Sequence, residues 1–175
     1  MTSRVKPITD SRSRSRGRSK GQALIEFLLI FPMLFLLIVN AINFGAFFFA
    51  WITVANAARA GVSYWALGSA AVGSPTPATP AQVTTLVTND ISSLLNRTSL
   101  VVRVCANNNG VIACTGSGTG TPSVDPESPT YVSASVDVTY TFQPPIKLFT
   151  FSNLGIHITL PSTTIHRQAT MRVLQ

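Results

Sequence analysis

Carboxylates are scarce in this chain. Six Asp and Glu occur in 175 residues, and the five beyond Gly21 (Glu26, Asp90, Asp125, Glu127 and Asp137) are scattered, so none suggests a general acid/base pair. Histidine is rarer still: His157 and His166 lie in separate segments without cysteine or carboxylate company, as solvated or hydrogen-bonded side chains do. Cys105 and Cys114 are the wrong number and spacing for zinc, which takes four ligands in close pairs. Gly116-Ser-Gly-Thr-Gly120 has the glycines of a phosphate loop but lacks the Gly-Lys-Ser/Thr ending and the strand-to-helix setting. No serine occupies a nucleophile elbow. These absences argue against an enzyme and against any metal or other cofactor.

Charge of either sign is thin, at 11% of the chain, low for a soluble domain. The net charge of +7 dissolves when mapped. Arg4, Lys6, Arg12, Arg14, Arg16, Arg18 and Lys20 hold seven of the thirteen basic residues, and only Asp10 opposes them. The remaining six basic residues meet five acidic ones, so the body is nearly neutral. No basic face for nucleic acid follows, and no aromatic residue interleaves the Arg–Ser tail as an RNA-binding arm would need.

What is present is one long uncharged run, the 32 residues from Phe27 to Ala58 between Glu26 and Arg59. About 20 apolar residues cross the hydrocarbon core of a bilayer, so this segment spans it with length to spare. Pro32 removes one backbone hydrogen bond and bends the helix without ending it. The basic flank precedes the run, so the positive-inside rule puts the N-terminus in the cytoplasm and exports everything after about Trp51. Ala41 and Gly45, Ala46 and Ala50, and Ala57 and Gly61 are each four apart, a spacing that admits a second helix backbone. Glu26 sits at the edge of the apolar run, either wet in the first helical turn or a carboxylate awaiting a partner.

Four parts are expected: a basic cytoplasmic leader over 1–21, a transmembrane helix with an exported extension over 22–70, a Pro-rich linker over 71–80, and an exported α+β body over 81–175. Within the body, Val83, Leu86, Val87, Ile91, Leu94 and Leu95 recur at helical spacing, predicting an amphipathic helix over 81–96. Val132, Ala134, Val136, Val138, Tyr140 and Phe142 alternate with polar residues, the clearest strand in the chain. Leu100, Val102 and Val104 suggest a strand before it. Ile165, Ala169, Met171 and Val173 suggest one after it, interrupted on the inward face by Arg167. Gly116–Pro129 reads as a loop, and 144–161 is aperiodic and carries no assignment. The predicted architecture is one helix on an antiparallel sheet of three or four strands.

A disulfide between Cys105 and Cys114 follows from register. Asn109-Gly110 is the preferred pair for a two-residue type I′ turn. Counting outward, Asn108 faces Val111, Asn107 faces Ile112, Ala106 faces Ala113 and Cys105 faces Cys114, at a non-hydrogen-bonded pair where side chains come closest. Export would permit oxidation.

Gly21-Gln-Ala-Leu-Ile-Glu-Phe27, after a basic tail and before an apolar helix, resembles the N-terminus of type IV pilins and pseudopilins. Phe31-Pro-Met-Leu-Phe-Leu-Leu37, Asn43-Phe-Gly45 and Asn56-Ala-Ala-Arg-Ala-Gly61 resemble the TadE-like family of tight-adherence pilus proteins. Ala60 departs from that pattern, where an acidic residue is common. The resemblance implies cleavage between Gly21 and Gln22 by a prepilin peptidase, and a pairing role for Glu26 with a neighbour's new amino group. It implies a minor pseudopilin of a tight-adherence (Flp-type) pilus system, acting in adherence, biofilm formation or secretion. The implied partners are the major Flp-type pilin, other minor pseudopilins, an inner-membrane assembly platform and the lipid bilayer. The alternative is a single-pass anchored surface binding protein with an uncleaved N-terminus.

Overall fold

The computed structural model describes residues 16–68, 78–108, 110–122, 132–147, 150–151, 156–157 and 159–173. The basic tail before Arg16, most of the Pro-rich linker, Asn109, residues 123–131 and part of 144–161 lie outside them. The chain forms two compact units, Met1–Ala41 and Ile42–Gln175. One helix, α1 (Arg16–Leu67), runs through both without a break at Pro32.

In the first unit the helix is bare: from Gly21 to Ile38 every side chain is exposed. It is the one described helix long and apolar enough to cross a membrane, and almost none of its most apolar stretch is buried. A soluble core helix of that composition would be covered.

The second unit is a helix-on-sheet body. Six strands, β1 (Val101–Asn108), β2 (Val111–Gly116), β3 (Val132–Phe142), β4 (Thr150–Phe151), β5 (Ile156–His157) and β6 (Thr163–Arg172), form a four-stranded sheet in the order β2-β1-β3-β6 and a small β4–β5 ladder. Every pairing is antiparallel. The alternation of β3 drives the assembly: Ala134, Val136, Val138 and Tyr140 are each at most 1% exposed. Burying a side chain of valine size contributes about 1.5–3 kcal/mol.

Against that face lie two helices. The second half of α1 supplies Ala50, Val54, Ala57, Ala58 and Val62, and α2 (Pro80–Asp90) supplies Val83 and Val87. Pro80 is the first residue of α2 rather than the last of the linker, because Thr79 and Gln82 cap the helix reciprocally and proline suits the first helical position. The α-helix ends at Asp90, short of the expected 96. A 3-10 turn over Ile91–Ser93 continues it and keeps Ile91 and Leu94 buried, since residues three apart align in that geometry.

The middle of the other face of the sheet is covered too. Ser133, Ser135 and Asp137 are buried although their alternation with apolar residues marks them as outward. The segment after β2 straps across Asp137 and its cross-strand neighbours Arg103 and Gln168. Gly120 N donates to Asp137 Oδ2 (2.8 Å), Arg103 Nη1 to Gly118 O (2.8 Å), and Gln168 Nε2 to Thr121 O (3.0 Å). A Cβ on Gly120 would stand 2.5 Å from Asp137 Oδ2, and Gly116 takes φ +95° beside Val102 O. The glycine-rich run is therefore a strap, with glycine placed where backbone meets backbone or carboxylate.

Candidate functional site

The residues around the glycine-to-glutamate junction all lie on the bare part of α1. Gly21 is helical, and a Cβ there would meet nothing within 4 Å. Gln22 Nε2 donates to Glu26 Oε1 (3.2 Å), one turn away on an exposed face. Glu26 is exposed and carries no ion pair among the described residues. Glycine and glutamate thus flank one turn of open helix, with the 21–22 peptide bond inside the helical stretch. A protease that binds extended backbone must unwind this turn, and glycine, weakest of the ordinary residues in a helix interior, lowers that cost by about 1 kcal/mol relative to alanine.

Farther along, polar and small residues of α1 have work inside the body. Asn43 is fully buried. Its Nδ2 donates to Ile146 O (2.9 Å), and its Oδ1 accepts from Ile146 N (3.2 Å). Both backbone groups of one strandless residue are satisfied by one amide side chain, which no apolar residue can do. Ala57 is buried, and a Cβ on Gly61 would stand 2.7 Å from Val87 Cγ2 and 3.3 Å from Val136 Cγ1. That small pair thus admits a second helix, α2 of the same chain, together with β3. Ala41 and Gly45 remain exposed, with open space around Gly45.

Arg167, the residue that breaks the apolar alternation of β6, is accommodated by an aromatic ring. Its guanidinium carbon lies 3.6 Å from the Trp51 ring centroid, a cation–π stack. Phe47 packs edge-on against Phe142 at 5.4 Å, beside Trp51 at 5.8 Å. The sequence offers one hint of this, an arginine at an inward strand position where only a stacking or paired cation is tolerated.

The two cysteines face each other across β1 and β2 in the register Cys105↔Cys114, and the bond between them is formed, with Cα atoms 4.1 Å apart. Gly110 takes φ +88° at the turn, and its N–H donates to Asn107 Oδ1 (2.9 Å). One arrangement was not legible in the sequence. Asp137 Oδ1 lies 2.6 Å from His166 Nε2, although nearly thirty residues separate them, because β3 and β6 are neighbours and His166 stands two positions from Gln168, the partner of Asp137, and so on the same face of the sheet. His166 therefore has carboxylate company after all. The pair ties an exposed imidazole to a buried carboxylate, and among the described residues no group of three or more His, Cys, Asp or Glu gathers as a metal site would.

Residues 21–63 match the family model for TadE-like proteins, a pilus-associated structural family. The match spans the bare half of α1 and most of the half packed in the body. Neither the curated proteins nor the solved structures contain a match to this chain.

Proposed function

From the TadE-like helix over residues 21–63, we propose that the chain is a minor pseudopilin, an assembly protein of a tight-adherence pilus, working through association of its membrane helix. The observation that carries this reading is that the matched segment is one continuous helix, bare at its start and locked into a folded body at its end. Gln22 to Ile42 is 21 residues, about 31 Å of helix at 1.5 Å per residue, the thickness of a hydrocarbon core. The buried exchange between Asn43 and the backbone of Ile146 brings body backbone alongside the helix at residue 43. The outer boundary of the bilayer is therefore drawn near Ile42, earlier than Trp51. Phe44, Phe48, Phe49 and Ile52 are then exposed beyond the bilayer. Such a stripe needs a covering partner, and a neighbouring helix of the same kind fits it.

In this reading the basic leader stays in the cytoplasm and the body outside. Cutting between Gly21 and Gln22 removes the leader's charges and creates an ammonium one turn from Glu26. The carboxylate then has a partner, in its own chain or a neighbour's, which offsets the cost of a charge at membrane depth, at least about 2.5–3.5 kcal/mol. Partners would be the prepilin peptidase, the major pilin, other minor pseudopilins and the inner-membrane assembly platform. The test is the N-terminal residue of protein isolated from peptidase-competent cells. It should be Gln22. A chain that still begins at Met1 or Thr2 removes the pseudopilin reading and leaves an anchored binding protein in its place.

A further inference from the structure

Beside the outermost strand of the sheet lies a groove of about 650 Å³, walled by Trp51, Arg59 and Val62 of α1 and by Arg167, Thr170 and Met171 of β6. Two arginines therefore share one groove in a body that carries little other charge. No carboxylate lines it, and no ion pair among the described residues involves either arginine. Arg167 Nε is buried with no hydrogen-bond partner, and the stack on Trp51 fixes the guanidinium plane without neutralising it. A pre-positioned guanidinium is suited to a carboxylate, which it meets with two parallel hydrogen bonds.

The strand beside the groove is itself incomplete. β6 pairs only with β3, and no described strand pairs with its other edge. The phase of the ladder is set by Val173 N, which donates to Val132 O (2.8 Å). In an antiparallel pair the backbone groups alternate sides, so odd-numbered residues of β6 turn theirs toward β3. The even-numbered residues, Gln168 and Thr170 among them, turn theirs to the free edge. A chain laid along that edge, about 4.8 Å from β6, would send alternate side chains into the groove beside Arg59 and Arg167.

We propose that this edge binds an extended acidic segment of a partner protein, which joins the sheet as a further strand and sets carboxylates at alternate positions on Arg59 and Arg167. Backbone pairing supplies the affinity and the two arginines the selectivity, the division of labour seen in strand addition generally. A small anion would satisfy the arginines and leave the edge unused; a neutral strand would do the reverse. The inference does not rest on leader cleavage or on entry into a filament, since the groove lies wholly within the body.

The test uses the full chain in nanodiscs of neutral phosphatidylcholine, titrated into a short fluorescein-labelled peptide that alternates glutamate with valine. The glutamate peptide should bind saturably, and its lysine and glutamine counterparts at least tenfold more weakly. Arg59→Gln and Arg167→Gln should each weaken binding several-fold, and the double variant should abolish it. Thr170→Pro removes an N–H that faces the free edge, not the β3 ladder, so the body should stay folded by circular dichroism while peptide binding is lost. Three results overturn the proposal: equal binding of the glutamate and lysine peptides, glutamate binding that survives the double arginine change, or full competition by millimolar inorganic phosphate with binding unaffected by Thr170→Pro, which would mark a simple anion site.

Discussion

The two halves of α1 are made of the same kinds of residue and live in opposite surroundings. Leu24 to Ile38 expose their apolar side chains on every side, whereas Val54, Ala57, Ala58 and Val62 are almost completely covered by α2 and the sheet. What separates them is size. The bare half is built from Leu, Ile, Phe and Met, which fill a lipid environment without needing a particular neighbour. The covered half alternates bulky residues with Ala and Gly, which let strands and a second helix approach. An apolar run can therefore hold both a bare candidate membrane span and part of a protein core, and the small residues mark where one gives way to the other.

The sharpest way to break this comparison is to make one substitution at a covered and at an open position of α1. Gly61→Leu forces a side chain into a space where even a Cβ would meet Val87 at 2.7 Å. Overpacking of this kind costs about 1–3 kcal/mol and occasionally more; with the backbone of α1 pinned on two sides, about 3 kcal/mol is expected. Gly45→Leu enters open space and should leave the denaturant midpoint of the body unchanged. Equal losses at both positions would show that Gly45 is packed as Gly61 is.

Next in size is the bridge between Cys105 and Cys114. Strand β2 has no fully buried side chain, so packing does little to hold it. The disulfide closes a short loop, worth roughly 2.5–3 kcal/mol in the chain-entropy model. Reduction should lower the stability of the body by that amount and raise amide exchange first in Val111–Gly116, while amides of β3 exchange only with global unfolding. Both cysteines alkylatable in the native protein without reductant would show that the bond is not made.

Smaller again is Asn43→Ala. It removes both side-chain partners from the half-buried backbone of Ile146, and at about 0.5–1.5 kcal/mol net for each hydrogen bond the two together contribute about 1–3 kcal/mol. Asn43→Asp restores the acceptor for Ile146 N but loses the donor, and should recover only part of the loss. Thermal melts of the three proteins in one detergent check the order. An alanine variant as stable as the parent would mean that water reaches Ile146.

Most of the body's frame was legible, for reasons that residues make plain. Strict period two over 132–142 has one structural solution, and Asn109-Gly110 with cysteines at equal distance on either side defines a register. The join between the bare helix and the core helix was not legible by periodicity, because the run from Phe27 to Ala58 is uncharged throughout. The double burial of β3 was hidden for a different reason. Asp137 looks solvent-facing until a strap covers it, and the strap's only signature is glycine at every second position from Gly116 to Gly120. Asn43, by contrast, was visible as an amide in an apolar run, and its partner Ile146 was not, since that partner offers backbone alone.

The smallest effect expected also separates the halves, because it belongs to the body alone. Tyr140 is 1% exposed, and its hydroxyl donates to Leu95 O. Burial raises its pKa above the ordinary 10.0, since desolvation disfavours the phenolate. The neutral phenol is thus bound more tightly by the folded state than by the unfolded one. Its contribution is fully present below about pH 10, the value of a free tyrosine, and is lost as pH rises from there through the higher folded value. The melting temperature of the body should therefore fall between pH 10 and 11 by more than in Tyr140→Phe, whose stability should be flatter across that window. At pH 7 the phenylalanine variant should be weaker by only about 1 kcal/mol, the net worth of one hydrogen bond, because Leu95 lies at the surface and water can replace the lost donor. Parallel curves for the two proteins across pH 9–11 would mean that the phenol ionises alike in both states.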